Sequence, residues 1–142
     1  EVGASVRDVA HAHGGVATTK AAEIVLDTDL AGRPDAFNPA ELLLAAIAAC
    51  MIKGIERVAP MIRFAFAGVE VHLHAVRQDA QPKIVSVDYE LVVDTEESDQ
   101  RLDLLHTNVR KYGTVSNTVS GGTALNGTIR RKRAAGGPSH GA

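Results

Sequence analysis

One side chain in this sequence is a strong nucleophile when ionised: Cys50, the single cysteine among 142 residues. A thiol attacks as its thiolate, and a thiolate forms where a cation stands near the sulfur. Cys50 falls in mid-helix, beyond the first turn where a helix dipole acts, so the charge must come from a side chain. Lys53 and Arg57 share one helical face with Leu43, Ala46, Ile47 and Cys50 at three- and four-residue spacing. Helical side chains lean toward the N-terminus of their helix, so both cations can reach back toward the sulfur. Gly54, on the same face, leaves space beside it for a small molecule. The plainer reading is an inert thiol in an apolar helix, with the cations serving only solubility.

Other chemistry-bearing groups are weaker. His72 and His74 fall on one face of a strand, and His11 and His13 could pair likewise, so four imidazoles could hold a metal ion. Solvated histidines on the wet side of an alternating strand are the simpler account. Thr114, Ser116 and Ser120 follow a helix carrying His106, but no recognisable nucleophile–base arrangement results. Gly121-Gly122 lacks the Lys-Ser/Thr of a phosphate loop.

The elements that must position these groups are partly marked. Asn38 suits an N-cap, Pro39 the first helical position, and Glu41 can bond back to the cap. The helix they open is expected over 39–59, ended by Pro60. Residues 42–52 are apolar around the whole circumference, which calls for burial on every side. One small domain covers such a helix poorly, and a second copy of the chain is the natural other cover. Residues 1–30 read as strand, turn, strand, with Gly14-Gly15 turning and the second strand over 22–30. Residues 69–75 and 85–91 alternate with period two and should pair antiparallel around Gln81-Pro82-Lys83. A second helix is expected over 96–112, with Leu102, Leu105, Val109 and Tyr112 as its buried stripe and Gly113 closing it. Residues 114–122 read as a connection and 124–130 as a last strand. The class is α+β with a mainly antiparallel sheet: one domain over 1–130, then a disordered basic, Gly-rich tail over 131–142.

Composition bounds the function. Hydrophobic residues make up 45% and charged residues 23%, as in ordinary globular chains. Aromatics are 4%, Trp is absent and the net charge is -2, which argues against nucleic acid and anionic lipid as partners. The longest apolar run is too short to span a bilayer. A lone cysteine forms no internal disulfide, and with no signal peptide visible the expected address is the cytoplasm.

The stretch Asn38-Pro39-Ala40-Glu41-Leu42-Leu43-Leu44-Ala45-Ala46-Ile47-Ala48-Ala49-Cys50 resembles the central-helix signature of the osmotically inducible protein C and organic hydroperoxide resistance (OsmC/Ohr) superfamily. Thr114-Val115-Ser116-Asn117-Thr118 resembles its second signature, which a cysteine opens. The resemblance runs from about residue 14 to 130. It implies intertwined α+β homodimers with active sites at the subunit interface, and a cofactor-free thiol chemistry that reduces organic hydroperoxides in oxidative-stress defence. By position Cys50 is the attacking thiol.

Three departures mark a divergent branch. Thr114 stands at the place of the resolving cysteine, Val16 at that of the catalytic arginine after Gly14-Gly15, and Ala40 at that of its glutamate partner. Glu41, about 100° further round the helix, is a capping residue. The resemblance therefore implies one of two functions. In one, a single-cysteine peroxidase is regenerated by an external thiol, with Lys53, Arg57 or Arg7 supplying the missing charge. In the other, a non-catalytic homodimer binds a small hydrophobic ligand in the interface pocket.

Overall fold

A computed structural model describes residues 1–10 and 14–133. The His11/His13 pair and residues 134–142 of the expected tail lie outside them. The chain divides into two compact units, Glu1–Ala45 and Ala46–Ala142.

The first unit is an antiparallel sheet of β1 (Ser5–Asp8), β2 (Gly15–Thr19) and β3 (Ala22–Leu26), in that order. Three strands thus replace the two expected. Gly15 is not in the turn but opens β2, opposite both Asp8 and Leu26. The reversal between β2 and β3 is made by Lys20, whose φ of 50° takes the left-handed conformation. β3 stops at Leu26 because Asp27 then turns the chain. Its carboxylate accepts the backbone N–H groups of Asp29 and Arg33, both at 3.1 Å. An isolated bridge between Leu26 and Phe37 leads the chain to the first helix.

That helix, α1 (Pro39–Ile62), opens on a reciprocal capping box. Asn38 Oδ1 accepts the Glu41 N–H at 2.8 Å, and Glu41 Oε1 accepts the Asn38 N–H at 2.9 Å. The unit boundary falls inside α1, between Ala45 and Ala46. Pro60 does not end it, contrary to expectation. In the last turn proline removes only one intrahelical bond, and the chain leaves the helix at Arg63, with φ 55°, after the Phe64 N–H bonds Ala59 O at 2.8 Å. Burial is also not all-round. Ile47, Met51, Gly54, Ile55, Val58 and Ala59 form a buried stripe, while Leu43 is 37% exposed and Ala46 and Ala49 are exposed.

In the second unit β4 (Gly68–Gln78) and β5 (Lys83–Asp94) pair antiparallel, reversing where Gln81 has φ 53°. β4 alternates as its sequence predicts, with Glu70, His72 and His74 exposed. β5 is the central strand. Leu91, Val92 and Val93 are all buried, so neither face is wet at that end. β6 (Ala124–Arg131) lies parallel to β5 on its other side. A parallel neighbour requires a crossover, which α2 (Asp99–Tyr112) and α3 (Thr114–Ser120) provide. The sheets remain mainly antiparallel.

Several sequence expectations shift here. α2 starts at Asp99 because Ser98 caps it, accepting the Arg101 N–H at 3.3 Å. Its buried stripe is Leu102, Leu105 and Val109; Tyr112 is 46% exposed. The segment read as a connection forms α3. β6 continues to Arg131, whose guanidinium donates to Glu97 O and Asp99 Oδ1, and the Lys132 N–H bonds Val93 O. Arg131, the first residue of the expected tail, is therefore part of the ladder.

Two tertiary clamps hold this unit. The last turn of α1 has no basic residue of its own. Arg101 of α2 donates instead to Ile62 O and Arg63 O, while pairing with Glu97 at 3.3 Å. Glu97 also accepts the Ala65 N–H at 2.8 Å, a bond that, with Arg101, holds its carboxyl below the ordinary range. The second clamp is Tyr89 on β5, 4% exposed, whose ring fills the place a side chain at Gly127 on β6 would need.

Candidate functional site: the Cys50 sulfur

Cys50 is half-buried on α1, about one turn into the second unit. Facing it is the junction of α2 and α3. Gly113 both ends α2 and precedes α3, with φ −76° and ψ 113°. This is ordinary extended backbone, so Gly113 is no left-handed cap. It is glycine because of what it faces: a Cβ there would lie 3.3 Å from Cys50 Sγ and 3.3 Å from Ser116 Oγ. The missing side chain lets the sulfur reach the first turn of α3.

There it meets Ser116. This residue is 1% exposed, and its hydroxyl donates to Cys50 Sγ at 4.0 Å. The other hydroxyls with side-chain bonds on α3 go to its own backbone: Thr118 to Thr114 O at 2.9 Å, and Ser120 to Asn117 O at 3.3 Å. Ser116 turns away from the helix and toward the sulfur.

The cations predicted from spacing do not join it. Lys53 and Arg57 are exposed on α1, and among the described residues neither makes an ion pair or hydrogen bond. Arg7 lies exposed on β1 of the first unit, opposite Val16 of β2. Ala40 is exposed in the first turn of α1, beside the capping Glu41. Thr114 is exposed at the start of α3, where its carbonyl accepts from Thr118. Gly54 leaves no ligand space, because Val109 Cγ1 of α2 packs 3.2 Å from where its Cβ would be. His72 and His74 are exposed, and His72 Nε2 stands 3.9 Å from Glu70 Oε1. No group of metal-binding side chains occurs among the described residues.

A second polar cluster was not foreseen. His106 of α2 lies with Nε2 2.6 Å from Tyr89 Oη, and Arg110 Nη1 donates to the same oxygen at 3.1 Å and to Leu125 O at 3.0 Å. A guanidinium only donates, so the Tyr89 oxygen accepts from Arg110, and its bond to Nε2 runs in the direction set by the imidazole tautomer. Burial, reinforced by the Arg110 charge, holds His106 below its ordinary value. Its i, i+4 spacing to Arg110 was visible; its tyrosine partner, on another element, was not.

Solved structures of the same fold are numerous. An OsmC-like protein from Mycoplasma pneumoniae superposes with a TM-score of 0.83 at 16% identity, covering 94% of this chain and 98% of its own. An organic hydroperoxide resistance protein OsmC from Legionella pneumophila gives 0.66 at 19% identity, over 89% and 93%. The organic hydroperoxide resistance protein OhrB of Bacillus subtilis gives 0.63 at 18%, over 90% and 96%. No curated protein matches the chain. The model of the OsmC-like protein family matches residues 32–126, which include Cys50, Gly113 and Ser116. The chain therefore belongs to the OsmC-like protein family.

Proposed function

We propose that this protein is a single-cysteine, thiol-dependent reductase of organic hydroperoxides in oxidative-stress defence, and that it works as a homodimer. The observation that carries the reading is Cys50 itself. It lies within the stretch that the OsmC-like family model matches, half-buried rather than sealed, with a buried hydroxyl donating to its sulfur. Structural relatives that are organic hydroperoxide resistance proteins support the substrate class.

In the cycle, the Cys50 thiolate attacks one peroxide oxygen. The S–O bond forms, the O–O bond breaks, and the alcohol leaves with a proton, giving a sulfenic acid. With threonine at 114 the chain has no second thiol. An external thiol therefore attacks the sulfenic sulfur, releasing water and leaving a mixed disulfide, and a second external thiol restores Cys50. The peroxide is reduced to alcohol and water while two external thiols become a disulfide. Such a cycle belongs in a reducing compartment, the cytoplasm. Neither nucleic acid nor a membrane is a partner in it.

The test is consumption of tert-butyl hydroperoxide in excess dithiothreitol, compared between the wild-type protein and Cys50→Ser. We expect Cys50→Ser to fall to the rate without protein. Equal rates for the two proteins would remove the peroxidase.

A second reading is favoured by the open apolar face of α1, with Leu43, Ala46 and Ala49 exposed, and by Val16, Ala40 and Thr114. In it, the homodimer binds a small hydrophobic molecule without turnover. Saturable binding of a hydrophobic dye, unchanged in Cys50→Ser and without peroxide consumption, is its expected signature.

A further inference from the structure

We infer that Ser116 is the positioning residue for the Cys50 sulfur, its hydroxyl supplying the hydrogen bond that holds the thiolate where other chemistry would use a cation. The inference rests on the reading of Cys50 as the reacting sulfur.

Three observations converge. The Ser116 hydroxyl is buried, and its one bond among the described residues is to Cys50 Sγ at 4.0 Å. A serine in a helix ordinarily satisfies its hydroxyl on a carbonyl one turn back, as Thr118 does on this same helix. Ser116 forgoes that bond. Finally, Gly113 has no side chain at the one place where a Cβ would crowd both sulfur and hydroxyl.

No charged group competes for the role. α3 carries no ionisable side chain. In the last turn of α2, Arg110 is committed to Tyr89 and Leu125 O, and Lys111 lies over the Tyr112 ring at 5.4 Å. On α1, Lys53, Glu56 and Arg57 are exposed, and none bonds to the sulfur among the described residues. A hydroxyl that donates to sulfur binds the anion more strongly than the thiol, because a charged acceptor makes the stronger bond. The oxygen atom gained on reaction meets the same donor.

The decisive measurement is the pH profile of Cys50 alkylation by iodoacetamide, with folding checked by melting temperature. In Ser116→Ala the profile should move to higher pH, because the thiolate loses the donor that favours it over the thiol. Ser116→Thr, which keeps the hydroxyl, should restore the wild-type midpoint. A profile unmoved in Ser116→Ala, or moved equally in Ser116→Thr, overturns the inference.

Should Ser116→Ala fail to fold, Ser116→Cys reads the same geometry. One equivalent of tert-butyl hydroperoxide should convert Cys50 to its sulfenic acid, which the new thiol then attacks. Water leaves, and an internal disulfide forms with loss of both free thiols. Retention of one free thiol means that position 116 does not face the sulfur, and sinks the inference. Alkylation is independent of peroxide turnover. Ser116 can therefore be refuted while the peroxidase stands, and the peroxidase can fail while the alkylation profiles still discriminate.

Discussion

Gly113 and Ser116 face the Cys50 sulfur, where Lys53 and Arg57 were expected. The sequence places two cations on the cysteine's helical face, but spacing along a helix says nothing about where flexible side chains end up. Both prefer water to a half-buried sulfur. His106 is the opposite case, a titratable group whose partners are all within the fold. Burial first, and then the Arg110 charge, lowers its affinity for protons, so the folded state favours the neutral imidazole. The unfolded chain then binds the proton more readily, and this contribution to stability is present above the ordinary histidine value of 6.5 and lost as pH falls below it. Urea unfolding of the wild-type protein should therefore weaken from pH 7 to pH 5. His106→Gln should show a shallower decline over the same window, and an identical decline would assign the pH dependence to other groups.

Among the elements, those written in local code were legible. The Asn38–Glu41 box needs only residues three apart, and it opens α1 where expected. The alternation of β4 and the turn at Gln81 are local too. α3 was misread because Thr, Val and Ser are indifferent helix formers; burial of Ser116 at the α1 junction is what favours a helix there. The end of α1 was misread for a related reason. Pro60 is tolerated where Arg101, 39 positions away from Ile62, satisfies the last carbonyls. Arg101→Ala should cost about 1–2 kcal/mol in urea unfolding, for lost bonds from a charged donor to helix-end carbonyls. Arg101→Lys, which keeps charge but not the planar fork, should recover part of that loss.

Taken together, the chain leaves one part of its central helix unfinished. Leu43, Ala46 and Ala49 are exposed although the sequence makes this stretch apolar on all sides, and the proposed homodimer would cover them. Sedimentation at micromolar concentration should give twice the single-chain mass of 14.9 kDa. Leu43→Glu, which places a charge on that exposed face, should shift the protein toward the single-chain mass without unfolding it. A wild-type protein that sediments as one chain would end the homodimer proposal.

From the residues in order, one could read the capping box, the strand pair, the α+β class and the one cysteine as the candidate reactive atom. These are signals carried within a turn or two of chain, or by residue identity alone. The neighbours of the sulfur were beyond that reach. Cys50 and Ser116 are 66 positions apart, and their meeting depends on a glycine whose need for space, not for an unusual φ, shows only once two helices have packed. A side chain's nearest partner across the fold is set by burial and steric fit, which no local pattern encodes.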